Sequence, residues 1–250
     1  MTLCAAGRKN YAGHPILADI QDASEHNQSQ SAKVGASNPR PLPSNFYLEP
    51  PDRVARNLLG KLLIRQLDGQ TLTGRIVETE AYLGEDDPAA HSAAGRTART
   101  EVLFGPPGRA YVYFIYGIHY CLNVSCEPEG HAGCVLIRAL EPLAGLAAMA
   151  KLRKLPPNAS PRQLTSGPGK LCQAFAITRP EHNGIDLTNP ESVLQIADDG
   201  FQRPSVAVTP RIGISKASHL PLRFLLAGNG YVAKPPAISA SEKFPDESKA

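Results

Sequence analysis

The sequence predicts an α+β fold, a single mixed domain built on a curved, mainly antiparallel sheet with peripheral helices and a protruding β-hairpin. Three observations predict it. Strand-like segments outnumber helical ones and alternate with them irregularly, rather than as repeated βαβ units. Neighbouring strand-like segments are joined by short connections, with Asp68-Gly69 and Tyr116-Gly117 where the chain must reverse. Apolar residues make up 42% and charged residues 20% of 250, which is ordinary globular composition.

The elements follow in order. Residues 1–44 are rich in Ser, Asn, Gln, Ala and Gly, show no apolar period and end in proline punctuation. They are expected to form a disordered arm, because they cannot bury enough surface to offset chain entropy. One domain is expected over 45–232, followed by a frayed tail over 233–250. Asp52 is placed to N-cap a helix whose stripe is Val54, Ala55, Leu58 and Leu59 and which Gly60 stops. Residues 61–67 read as a strand, Asp68-Gly69 as its turn and 70–82 as a longer second strand. A Gly/Ala/Pro-rich loop follows, closed by one helical turn at 100–105. Residues 110–116 and 118–126 read as strands on either side of Gly117, and 133–140 as another. Residues 141–155 read as a helix with a basic end, and 166–177 as a second. Short strands are expected at 193–198, 211–214 and 222–228.

Composition narrows the function. No run approaches the ~18 apolar residues of a membrane span, and no secretory signal is visible. Cys4, Cys121, Cys126, Cys134 and Cys172 are odd in number and contain no C-x-x-C pair, which argues against a disulfide framework and a zinc cage. A reducing compartment is therefore expected: the cytoplasm, at the nucleoid in a bacterium, or the nucleus in a eukaryote. Neither metal nor cofactor is expected. Residues 45–150 hold 9 basic and 12 acidic residues, whereas 151–232 hold 10 and 5. That asymmetry fits a polyanion docked on one side with carboxylates acting on the other, or simply two solvated faces.

Four motifs could carry chemistry. Tyr111, Tyr113, Phe114, Tyr116 and Tyr120 place a third of the 8 Tyr and 7 Phe of the chain within ten residues. On a strand Tyr111, Tyr113 and Ile115 share a face. Such rings serve as core pairs, yet Tyr116 at a tight turn is expected to be exposed, where a ring can wedge between stacked bases. In "VETEAYLGEDDPAAH", Glu78, Glu80 and Tyr82 face one way. They form either a solvated edge face or a pocket in which one Glu is a general base for water, with His91 nearby. In "SGPGKLCQAF", Ser166 can cap a helix, Gly167 leaves its N–H groups open and Lys170 adds charge, so the segment is either a plain cap or a phosphate contact. Asn123 and Arg138 lie in apolar strands and need partners; for Arg138 these would be Glu78 or Glu80.

Together "GRIVETEAYLGEDDPAAHS", "FGPPGRAYVYFIYGIHYCLNVSC", "GCVLIRALEPLAGL" and "SGPGKLCQAFAI" resemble the alkyladenine (3-methyladenine) DNA glycosylases of mammals and many bacteria, in order, from about residue 42 to 232. The resemblance implies a monofunctional enzyme that flips a damaged purine from duplex DNA and hydrolyses its N-glycosidic bond. It implies Glu80 as the base for water, with Arg138 and the main chain near Ile212 holding that water. It implies Tyr82, His91 and Tyr113 as walls of the base pocket, and Asn123 as the group excluding guanine. Tyr116, seconded by Ile118, would fill the gap the base leaves, and Ser166, Gly167 and Lys170 would meet phosphates. Double-stranded DNA with damaged purines is the partner implied, and a monomer is expected. The family's Thr-Pro-Arg-Asn stands here as Thr97-Ala98-Arg99-Thr100, and its Gly-Met as Gly117-Ile118. Three rival readings remain from the residues themselves. One is a metal-dependent hydrolase using Glu78, Glu80 and His91, another a two-carboxylate sugar hydrolase, and the third a non-catalytic nucleic-acid-binding module whose rings stack on bases.

Overall fold

A computed structural model describes residues 39–203 and 205–233. Most of the expected arm, and the tail from residue 234 on, lie outside the described residues. Residues 39–44 and 233 are among the described residues. Arg40–Pro41 (β1) pairs with a later strand, and Ala233 N–H bonds to Glu78.

The first helix, α1 (Pro51–Leu58), starts on a proline, which needs no N–H partner there, and buries Val54, Ala55 and Leu58. Its N-cap is Pro50, so Asp52 sits within the first turn instead of capping it. Gly60, at φ +89°, turns the chain into β2 (Leu62–Leu67). Asp68 (φ +48°) and Gly69 (φ +73°) then form the left-handed pair that matches the twist of a two-residue hairpin. The hairpin leads into β3 (Gln70–Tyr82), the 13-residue spine of the sheet. The second hairpin is β4 (Ala110–Ile115) and β5 (His119–Ser125), and β6 (Cys134–Ala144) returns along β3.

Beyond β6 come α2 (Leu146–Leu152), α3 (Pro161–Thr165), α4 (Pro168–Ala174) and α5 (Arg179–His182). Strands β7 (Leu194–Asp198), β8 (Val206–Thr209) and β9 (Arg223–Leu226) complete the sheet. Its order is β1-β7-β2-β3-β6-β5-β4, with β9 also on β3 and β8 on β9, and every pairing is antiparallel. One edge of β3 is shared: β2 takes residues 70–75 and β9 takes 78–80, while β6 runs along the other edge. Register shifts flank Glu78, where extra residues on one strand increase local twist and curl the sheet strongly. The main core packs α1 and α4 against this sheet. A smaller cluster of Leu103, Phe104, Tyr111, Ala132 and Cys134 lies under Tyr82 and Tyr113.

Three further expectations are corrected. The helix predicted over 141–155 shrinks to α2, because β6 keeps pairing with the long β3 as far as Ala144 and Gly145 then turns left-handed at φ +79°. Residues 211–214 are a loop; the place beside β9 belongs to β8, which had no signal of its own beyond a short apolar alternation. Ser166 does not cap α4. It ends α3, and its hydroxyl donates to the Tyr231 carbonyl, leaving Gly167 (φ +135°) as N-cap.

Candidate active site

The bulged centre of β3 sets Glu78 and Glu80 on one face, as period-two alternation requires. Both are buried, at 1% and 0% exposure, so the solvated-edge reading fails. Arginines from the flanking strands meet them. Glu78 Oε1 accepts from Arg138 Nε at 2.9 Å and Arg223 Nε at 2.8 Å, and Oε2 accepts from Ala233 N–H at 2.8 Å. Glu80 Oε2 accepts from Arg138 Nη1 and from the Tyr82 hydroxyl, each at 3.1 Å, and Oε1 accepts from Ile212 N–H at 2.9 Å. Arg138 bridges the two carboxylates and so offsets their mutual repulsion. Among the described residues Glu80 Oε1 has a single donor, which leaves that oxygen one lone pair for a further hydrogen bond. Burial pushes the Glu80 carboxyl above the ordinary carboxylate value; it outweighs the Arg138 charge, the Ile212 N–H and the Tyr82 hydroxyl, which pull down, and Glu78 adds to the rise. A carboxylate raised in this way is a stronger proton acceptor than one in water.

Next to Glu80 lies a cavity of about 340 Å³. Glu80 does not itself line it. The three groups bonded to its carboxylate do: Tyr82, Arg138 and Ile212. The remaining wall includes the rings of Tyr111, Tyr113 and His91, aliphatic and thiol side chains such as Leu136 and Cys121, and the polar Asn123. Burial raises the Tyr82 and Tyr113 hydroxyls, so both rings stay neutral phenols. His91 Nε2 lies 3.2 Å from an Arg99 guanidinium nitrogen, which can only donate; Nε2 therefore accepts, and Nδ1–H donates to the Tyr111 hydroxyl at 3.0 Å. Burial and then the Arg99 charge lower the imidazole pKa to about 4, so His91 is neutral at pH 7. Its ring stands edge-on to Tyr113 at 4.5 Å. Asn123 is buried and donates from Nδ2 to the Tyr111 carbonyl at 3.2 Å.

The β4–β5 hairpin ends beside this cavity. Tyr116 lines the mouth, is 79% exposed and holds φ +54°; Ile118 is 71% exposed. Pro168 and Gly169, at the start of α4, form the facing rim, with exposed Lys170 one residue on. Ser166 lies behind that rim, bonded to Tyr231, so its hydroxyl is already engaged.

Seven sequence-predicted residues thus gather at one place, Glu80, Arg138, Tyr82, His91, Tyr113, Asn123 and Tyr116, while Lys170 follows Gly169 of the rim. Glu78, Glu80 and His91 do not form one cluster, and among the described residues no group of three or more metal-ligating side chains is brought together. The loop from 95 to 100 is closed by Thr100, whose buried hydroxyl accepts Thr97 N–H at 2.9 Å and donates to the Gly95 carbonyl at 3.0 Å. A threonine thereby supplies the ties at the position where the resembled family has Asn. Sequence reasoning missed Tyr111, Arg99, Asp87 and Arg211. For Tyr111 the signal was present, since it alternates in phase with Tyr113. Asp87 and Arg211 are 124 residues apart, and nothing local marks them.

Comparison with known proteins places the chain in a family. The family model described as Methylpurine-DNA glycosylase (MPG) matches residues 45–230. A protein of Koribacter versatilis, provisionally named a 3-methyladenine DNA glycosylase, is 58% identical over 193 residues, covering 77% of this chain and 93% of its own. Proteins of the same provisional name from Carboxydothermus hydrogenoformans and Methanocella arvoryzae are each 47% identical, over 193 and 182 residues. Those matches cover 77% and 73% of this chain, and 98% and 88% of the relatives.

Proposed function

The chain belongs to the methylpurine-DNA glycosylase family, a family of monofunctional N-glycosylases, and on that premise we propose that it removes alkylated or deaminated purines from duplex DNA. The substrates are of the 3-methyladenine, 7-methylguanine, hypoxanthine and ethenoadenine class, and an abasic site is left. The observation that carries this reading is the buried Glu80 carboxylate, held by three groups that all line an aromatic cavity of small-molecule size.

A purine buried in the duplex stack cannot reach such a cavity, so it must be turned out, at a cost of a few kcal/mol that is least for a damaged, poorly paired base. Tyr116, at the cavity mouth, and the exposed Ile118 of the same hairpin fill the gap. Tyr82 and Tyr113 take the two faces of the base. Purines alkylated at N3 or N7 are cationic, and an electron-rich ring attracts them by ~0.5–2 kcal/mol more than neutral bases. Asn123 crowds the exocyclic amine of guanine, and His91 contacts the base edge as a neutral imidazole. Lys170, with the Ser166-Gly167 backbone, meets a flanking phosphate.

Glu80 then accepts a proton from water as the water oxygen bonds to C1′ of the sugar. The C1′–N9 bond breaks, and its electron pair leaves with the purine, where it cancels the positive charge of an alkylated ring or, on a neutral purine, takes up a proton from solvent. Arg138 keeps Glu80 ionised and aimed. No lysine is invoked, so the abasic sugar is not held as a Schiff base.

Glu80→Gln keeps the shape and removes the base. It is expected to bind duplexes carrying a single lesion while losing nearly all base release, followed as free base and abasic sites. Retained turnover would remove Glu80 from the mechanism. Release of no base by the parent protein, together with salt-dependent DNA binding, would favour the non-catalytic module.

A further inference from the structure

We infer that the buried pair Arg211–Asp87 is a positioning device for base release: it fixes the Ile212 N–H against Glu80 and backs the Tyr82 ring from the side away from the cavity. The inference rests on Glu80 as the base.

Both side chains are 0% exposed and bonded fork to fork: Arg211 Nη2 donates to Asp87 Oδ1 at 2.9 Å and Nη1 to Oδ2. Nη1 also donates to the Ala81 carbonyl in β3 at 3.0 Å, and the guanidinium stands over the Tyr82 ring at 4.7 Å. Asp87 in turn accepts N–H bonds from Leu83 at 3.2 Å and Ala89 at 3.0 Å, which fixes the loop leading to His91. Burial alone would raise the Asp87 carboxyl, but the Arg211 bonds and these N–H groups outweigh it and hold it below its ordinary value, so the pair is ionic.

Three pieces of chain therefore meet at one guanidinium: the end of β3 with its Tyr82 ring, the 83–89 loop and the 211–214 loop. The next residue, Ile212, donates to Glu80 Oε1, and Ile212, Gly213 and Ile214 all line the cavity. Without the anchor the 211–214 loop has little else to hold it, since it is outside the sheet. Stability alone is a weak reason for such a pair. A buried ion pair is often replaced by apolar residues of similar volume without loss of stability. What an apolar pair cannot supply is the direction of the fork.

The test compares Asp87→Asn with the double variant Arg211→Met/Asp87→Leu. Both are assayed for thermal stability, affinity for a duplex bearing an abasic analogue, and single-turnover base release as a function of pH. The double variant is expected to fold and bind the abasic duplex like the parent, yet release base about 10- to 100-fold more slowly, the scale of a small misplacement of a reacting group. Its acid limb should move to higher pH. The groups facing Glu80 are Arg138, Tyr82, Glu78 and the Ile212 N–H, and losing the last removes a donor that favours the anion. Asp87→Asn should show the same changes in smaller measure. A folded variant with the parent's rate and acid limb would overturn the inference, as would failure of both variants to fold, which would make the pair a stability element. If Glu80→Gln retains turnover, the premise itself fails; if Glu80→Gln is inactive while the double variant matches the parent, only the inference fails.

Discussion

Replacing Tyr116 with Ala isolates the wedge from the chemistry. In the free protein the ring is 79% exposed, and its turn is closed by the Ile118 N–H to Ile115 carbonyl bond, which does not involve the side chain. Truncation therefore removes almost no buried surface, and the change in folding stability should stay within about 0.5 kcal/mol. For a domain of this size that is a melting shift of about 2 °C or less. In the proposed role the ring would be a stacking surface in the vacated gap, and alanine substitution of such a ring costs ~1–3 kcal/mol. That range is about a 5- to 150-fold loss in the population of flipped base. The full loss should fall on a neutral, well-stacked base such as hypoxanthine, whose release is limited by the extrahelical fraction. A cationic base such as 7-methylguanine stacks less well and is drawn into the slot by the rings, so it should lose less. Single-turnover release from two duplexes differing only in the lesion reads the ratio. An equal loss on both, or a melting point lower by many degrees, would refute the wedge argument.

Two further outcomes are expected. The neutral His91 gives a pH signature to stability: its pKa falls from 6.5 to about 4 on folding, so its contribution is fully present above pH 6.5 and is lost as pH falls toward 4, because the unfolded chain takes up the proton first. Thermal melts across that window should lose part of their slope in His91→Gln, and an unchanged slope would show that His91 is not buried as described. Gly133→Ala should destabilise the domain by about 1–3 kcal/mol, the usual cost of overpacking, because its Cβ would come within 2.5 Å of Pro51 Cγ and 2.2 Å of Glu127 Oε2. A denaturant midpoint equal to the parent's would contradict that packing.

Local signals made much of the fold legible. Asp68-Gly69 marks a hairpin because only a left-handed pair closes it without splaying the strands, and Val54, Ala55 and Leu58 mark α1 because their spacing makes one buried stripe. Tyr113 and Tyr116 were legible for a similar reason: strand alternation and a tight turn assign one ring inward and one outward. Residues 141–144 and 211–214 misled the same logic. The first tetrapeptide is strand because β3 offers it a partner, and the second is loop because one arginine and one N–H hold it across the fold.

The sequence by itself determined which strand faces Glu78, Glu80, Tyr82, Tyr111 and Tyr113 share, since a two-residue period needs no knowledge of the rest of the chain. Only the tertiary structure decided that Glu78 and Glu80 are both buried, that Arg138 serves both, and that Arg211 reaches Asp87. A buried charge needs a partner, and here Arg138, Arg223 and Arg211 reach their carboxylates from 58 to 145 residues away, a distance no local pattern in the chain records.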